Sequence, residues 1–169
     1  MCVILETERL VLRQFSITDA PFITQLLNSP KWLEFIGDRQ IKTIANAQNY
    51  LVNGPLLSYK TTAFGLYLVQ LKDSSKPIGM CGLVKRDYLN DLDLGYALLP
   101  QFEGNGYAYE IASATVIYAF ENLHLLRLAA ITTTYNLRSV HLLEKMGFVF
   151  KYVLNNEAAN GLMLFIRDA

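Results

Sequence analysis

Two glycines, Gly104 and Gly106, stand between a strand-like and a helix-like run in the stretch Asp-Leu-Asp-Leu-Gly-Tyr-Ala-Leu-Leu-Pro-Gln-Phe-Glu-Gly-Asn-Gly-Tyr-Ala, residues 91–108. Pro100 has no N–H to give a central strand, so the extended run is expected to stop there. The glycines reach backbone angles closed to other residues, which frees Phe102 to Ala108 to turn successive N–H groups into one hollow. A helix from Tyr107 to about Asn122 would add its own unpaired N–H groups and the positive end of its dipole. That is the chemistry of an anion seat, and phosphate is its usual occupant. The same residues also fit a plain left-handed turn that binds nothing. Two nucleotide readings fail: a dinucleotide fingerprint needs a third glycine near Tyr109, and a Walker loop needs Gly-Lys-Ser/Thr where Gly-Tyr-Ala stands.

A second polar constellation opens a later helix at Asn136-Leu137-Arg138-Ser139. Asn136 suits the cap position, and Ser139 lies one turn on, so the two side chains can face the same way. His141 is off that face, and His124 has no Asp or Ser partner at a recognisable spacing. Both read as surface or core-edge residues. Cys2 and Cys81 form no metal or CxxC spacing, and Cys81, inside a strand, reads as a small buried apolar residue rather than an acyl-carrying nucleophile. No metal is expected.

These groups need a frame. The chain has 169 residues, 52% hydrophobic and 18% charged, which suits one compact domain spanning 1–169. Lys plus Arg and Asp plus Glu both number 15, so there is no broad basic field to favour nucleic acid. Residues 1–12 carry acidic groups where a signal peptide needs an apolar core, and no run is long and apolar enough to span a membrane. A reducing, cytoplasmic setting is expected, with no nucleic-acid or membrane partner.

Residues 9–15 alternate as a first strand. Thr18 is expected to cap a short helix that Asn28-Ser29-Pro30 stops, Lys31 to Ile41 to be irregular, and a second helix to cover about Thr43 to Val52. The period then changes. Residues 63–71, 78–85 and 91–99 read as an antiparallel meander, and residues 127–134, 148–154 and 162–167 as further strands. A helix from Asn136 to Met146 ends at Gly147. The expected fold class is α/β in the α+β sense: a mixed, mostly antiparallel sheet of six or seven strands with helices on both faces.

Taken together, Leu94-Gly95-Tyr96, the run from Gln101 to Ala108, and Asn136 to Ser139 with Leu143-Glu144-Lys145-Met146-Gly147-Phe148 resemble the GNAT acetyltransferase superfamily. The opening Thr7-Glu8-Arg9-Leu10-Val11-Leu12-Arg13 with Asp19-Ala20 is similar to its RimJ/RimL-type branch, the ribosomal-protein N-terminal acetyltransferases. The resemblance implies an acetyl-CoA-dependent N-acetyltransferase acting directly on a primary amine, either a protein N-terminus or a small molecule. The alternative is a CoA-binding regulatory module with little catalysis. A monomer or homodimer is expected.

The resemblance also implies roles. Acetyl-CoA would lie between residues 91–99 and 127–134, its pantetheine on the backbone of Ala97, Leu98 and Leu99. Its pyrophosphate would rest on Gln101, Phe102, Glu103, Gly104, Asn105, Gly106, Tyr107 and Ala108. Asn136 would hold the pantetheine amides, with Ser139 near the sulfur. An amine must lose a proton to attack, and a carboxylate can take it. Asp93 is the first choice and Glu110 the second. The N–H of Leu98 would steady the thioester oxygen. Many relatives carry a tyrosine acid where this chain has Leu143; Ser139 is the substitute, and the alternative donors, Tyr135 and Tyr96, read as packing residues. Trp32, Phe35 and Asp38 would line the acceptor pocket.

Overall fold

The computed structural model describes residues 2–169 and contains eight strands and six α-helices among them. In chain order the elements are β1 (Val3–Glu6), β2 (Leu10–Arg13), α1 (Ala20–Leu27), α2 (Pro30–Phe35), α3 (Ile44–Asn53), α4 (Pro55–Thr61), β3 (Leu66–Leu71), β4 (Pro77–Val84), β5 (Asp93–Leu98), α5 (Tyr107–Glu121), β6 (Arg127–Thr133), α6 (Leu137–Lys145), β7 (Val149–Val153) and β8 (Leu162–Asp168). One sheet runs β1-β2-β3-β4-β5-β6-β8-β7. Every neighbouring pair is antiparallel except β5 and β6. No helix among the described residues is long and apolar enough to cross a membrane.

The sheet has one strand more than expected because β1 is a four-residue edge whose side chains are at best half-buried, which leaves no alternating signal. The unexpected helices share one cause. Pro30 and Pro55 do stop the helices before them, but each then takes the first position of a new one, where its missing N–H is not needed and its fixed φ suits the helix. Lys31 to Phe35 is therefore helical rather than irregular. At the first helix the opening residue is Ser16, not Thr18: Asp19 accepts from the Ser16 N–H at 2.8 Å, and a short 3-10 turn precedes α1.

Two apolar layers sandwich the sheet. On one face α5 and α6 bury Ile111, Ala112, Val116 and Leu143 against Leu10, Val69, Leu83, Leu94, Leu128 and Phe165. On the other, α1 to α4 bury Ile23, Leu26, Leu27, Trp32 and Leu51 against Leu68, Met80 and Leu99. The second layer stops short of β6 and β8. There the connections around Leu89 and Ala159 cover Ala129 and Leu164 instead.

Candidate active site

The parallel pair at the centre of the sheet is joined at one point only. Asp93 registers with Ala129, and the Ala129 N–H donates to the Leu92 carbonyl at 2.8 Å. Beyond that pair the two strands part. A strand in the middle of an eight-stranded sheet should be buried on both faces, yet Gly95, Tyr96, Ala97 and Leu98 are all half-buried. Backbone groups alternate sides along a strand. Since Leu92 points its carbonyl at β6, Tyr96 and Leu98 present theirs to the gap. Leu99 points the other way, its N–H donating to the Ile78 carbonyl at 2.8 Å, and Ala97 is registered with Met80 of β4. The free groups along this edge are therefore those of Tyr96 and Leu98, where the sequence suggested Ala97, Leu98 and Leu99.

The gap widens toward the glycine loop. Pro100 to Phe102 form a 3-10 turn, then Gly104 and Gly106 take φ of +77° and +80°. Those angles belong to the left-handed region that an L side chain resists. Gly106 is the N-cap of α5, whose first backbone bond is Glu110 N–H to Gly106 carbonyl at 3.0 Å, so the N–H groups of Tyr107, Ala108 and Tyr109 precede the helical ladder. A Cβ at Gly104 would meet no atom within 4 Å; the loop there is held by backbone shape, not crowding.

One residue of the loop works against an anion. Glu103 is a carboxylate inside the would-be phosphate cradle, and it carries its own neutralisation. Lys31 of α2 pairs with it, and Arg138 of α6 donates to the same oxygen at 3.0 Å. The three residues join α2, the loop and α6 across the mouth of the gap. A further link is the Tyr135 hydroxyl, which donates to the Glu34 carbonyl at 3.3 Å while its ring lies 5.8 Å from that of Phe35.

The two candidate carboxylates sit in different places. Glu110, in the first turn of α5, accepts from the Thr7 hydroxyl at 2.6 Å, the Arg9 N–H at 2.9 Å and the Arg9 guanidinium at 2.7 Å. Burial works against its charge, but those donors hold its carboxyl below the usual range. It fastens the β1–β2 connection to α5 and has little reason to take a proton. Asp93 begins β5 and is 1% exposed. One oxygen accepts from Arg86 at 2.5 Å; the other is buried without a partner. Burial pushes its carboxyl up to about 6 against the pull of Arg86. Arg86 also lines a surface cavity of about 540 Å³ with Val84, Lys85, Asp87, Tyr88 and Ala158.

Alternation divides β5 between the two faces. Leu94, Tyr96 and Leu98 point toward α5 and α6, and Asp93 and Ala97 point the other way. On the first face Asn136 caps α6, its side-chain oxygen accepting from the Ser139 N–H at 3.3 Å, and the Ser139 hydroxyl meets the Tyr96 hydroxyl at 2.9 Å. Leu143 is 1% exposed in the core. On the second face Trp32 is 6% exposed with its indole N–H unpartnered. Phe35 is half-buried, and Asp38 is exposed and occupied by its own loop: it accepts from the Gln40 N–H at 2.7 Å and pairs with Lys42 at 3.2 Å. Cys81 is fully buried, and its thiol is pushed up to about 12 by that burial, so it is no nucleophile. His124 and His141 are exposed.

The residues that the sequence did not flag are Arg86, Lys31 and Arg138; Tyr96 is named there as an alternative donor, without its contact to Ser139. Arg86 was within reach: the β4–β5 hairpin sets Val84 opposite Asp93, which brings the start of the connection back to the aspartate. The ion pairs on Glu103 join segments far apart in the chain and leave no local trace.

Comparison with known proteins agrees with this geometry. Residues 9–149 match the family model described as acetyltransferase (GNAT) domain. The chain is 31% identical over 152 residues to the uncharacterized N-acetyltransferase YoaA of Bacillus subtilis (strain 168), covering 89% of this chain and 85% of that protein. An acetyltransferase from Agrobacterium tumefaciens str. C58 superposes with a TM-score of 0.84 at 23% identity, over 100% of this chain and 95% of that one. RimL, a ribosomal-protein alpha-N-acetyltransferase solved in complex with coenzyme A, gives a TM-score of 0.83 at 18% identity over 98% and 97% of the two chains. At such identities the superpositions speak for the fold.

Proposed function

The chain belongs to the GNAT acetyltransferase family, and on that premise we propose that it moves an acetyl group from acetyl-CoA straight to a primary amine, on a protein N-terminus or a small molecule, within a ternary complex. The observation that carries this reading is the half-buried central strand: β5 offers unpaired backbone groups to a gap that ends at two left-handed glycines and a helix N-terminus. An extended chain with amides fits the strand edge, and a diphosphate fits the loop. Tyr96 and Leu98 would hold the pantetheine, with residues Gln101 to Ala108 on the pyrophosphate and the Asn136 side-chain amide over the arm.

Acetyl-CoA supplies an acetyl group already activated as a thioester. The Leu98 N–H faces the gap and serves as a fixed donor where negative charge grows on the thioester oxygen. Asp93 serves as the base. Its unpartnered oxygen and raised carboxyl suit proton uptake near neutral pH. Asp93 and Tyr96 are three residues apart, about 10 Å along a strand, so the proton travels through water. Base and leaving group thus lie on opposite faces of the sheet, with the amine entering from the side of Trp32 and Phe35.

The test is release of free thiol from acetyl-CoA over a panel of peptides with free N-termini and of small amines. Turnover with either class supports the reading and names the acceptor class. Coenzyme binding without turnover on any amine would contradict it.

A further inference from the structure

Three helix threonines place their hydroxyl protons in one way, and Ser139 places its own in another. Thr24, Thr61 and Thr115 each donate to the carbonyl four residues back, at 3.0, 3.0 and 2.8 Å. That bond is the ordinary resting place of such a proton. Ser139, in the first turn of α6, has no helix carbonyl four residues back, because Tyr135 precedes the cap Asn136. Its oxygen instead meets the Tyr96 hydroxyl of β5 at 2.9 Å, a contact that reaches from strand to helix on the α5–α6 face of the gap.

A serine hydroxyl offers one proton and two lone pairs, and a phenol is the stronger donor of the two because its oxygen shares electron density with the ring. Either hydroxyl can donate in this contact, and the stronger donor favours the arrangement with the Tyr96 proton on the Ser139 oxygen. The Ser139 N–H is separately engaged by Asn136 at 3.3 Å, which fixes the backbone beneath it. In that arrangement, with the phenol occupying a lone pair and no helix carbonyl accepting, the proton of Ser139 is free for a group in the gap. Burial pushes the Tyr96 hydroxyl up to about 12, so it stays protonated at every working pH. Of the other titratable groups near it, the Cys81 thiol is engaged with the Thr115 hydroxyl at 3.4 Å and Asp93 points to the opposite face with Arg86.

We infer that Tyr96 is a positioning residue: by donating to Ser139 it turns the serine proton onto the sulfur of the leaving thiolate, in the role that a tyrosine on α6 cannot fill because Leu143 stands there in the core. This rests on the proposed acetyl transfer. In that reaction the C–N bond forms and the C–S bond breaks with its electron pair left on sulfur. The amine proton goes to the base, and the thiolate, steadied by the serine hydrogen bond, gains its proton from water on release. Ser139 and Tyr96 end as they began.

The experiment needs no acceptor. Coenzyme A is bound to the whole protein, and the ionisation of its thiol is followed by ultraviolet absorbance across pH; a free thiol titrates near roughly 8.5. The bound thiol is expected to titrate below free coenzyme A. Ser139→Ala and Tyr96→Phe should each raise it by about one pH unit, a tenfold change in the constant, and the double variant should add nothing further. Replacing Tyr96 by 3-fluorotyrosine keeps the packing and strengthens the donor, so the thiol should titrate lower still. A folded Tyr96→Phe protein that titrates like wild type, additive shifts in the double variant, or an unmoved fluorotyrosine protein would each overturn the inference. A wild type that binds coenzyme A with an unshifted thiol overturns it alone. A wild type that does not bind coenzyme A overturns the proposed function as well.

Discussion

Two arginine–carboxylate pairs border β5 and α5, and they differ in what is left over. At the start of α5, Arg9, Thr7 and a backbone N–H surround Glu110, so both of its oxygens are engaged and its charge is favoured. At the start of β5, Asp93 has Arg86 on one oxygen, no close partner on the other and almost no solvent, and the pull of Arg86 and the Ile131 N–H does not offset its burial. The same ion pair thus leaves both carboxylate oxygens engaged in one place and one oxygen without a close partner in the other. Counting donors against lone pairs, rather than noting that a carboxylate is near the site, separates the two roles.

The largest expected effect breaks this contrast directly. Asp93→Asn should lower turnover at pH 7 by about 100-fold or more, the usual worth of a positioned base, and Glu110→Gln should leave turnover within about threefold while costing about 1–2 kcal/mol of stability from lost charged hydrogen bonds. Turnover and urea melts of the two variants read this; equal losses of activity would erase the distinction.

The pH dependences should differ in sign as well. Wild-type activity should rise with pH through about 6, where Asp93 loses its proton, and the Asp93→Asn profile should lack that limb. In stability the raised Asp93 carboxyl contributes fully below its ordinary range, and that contribution is lost as pH rises through about 6. Glu110, held low, contributes above the ordinary range and loses its contribution as pH falls. The difference in melting temperature between wild type and each variant across pH would show the two opposite slopes.

How much of this was legible beforehand depended on distance along the chain. The strand–glycine–helix corner is local, so Pro100, Gly104 and Gly106 announced it. The parallel gap beside it was implied by the family likeness. Asp93 and Ser139 were named, but their surroundings were not, because Arg86 and Tyr96 matter through hairpin register and strand alternation. Glu110 was ranked behind Asp93 but without its surroundings, since its donors lie some hundred residues away in the first turn of the chain. Pro30 and Pro55 show a local signal with two meanings: the same residue that closes one helix opens the next.

The remaining expectations concern the glycine loop between β5 and α5. Gly104→Val must force a side chain into φ of +77°, a strain of about 1–3 kcal/mol. Coenzyme A affinity should fall roughly tenfold or more by calorimetry in a protein that still folds. Glu103→Gln acts the other way. It frees Lys31 and Arg138 for phosphate, so affinity should rise a few-fold at low salt, and the gain should shrink as salt screens it. An affinity that falls instead would mean that the two cations matter to the loop's shape rather than to its charge.

The central claim is that a coenzyme lies along the freed edge of β5 and ends on the glycine loop. Amide signals followed by nuclear magnetic resonance during titration with coenzyme A test it most directly. The account predicts shifts and slowed hydrogen exchange at Tyr96, Leu98 and the loop from Gly104 to Ala108, with Val84 to Tyr88 unmoved. Changes confined to Val84–Tyr88, or none along β5 and the loop at saturation, would contradict it.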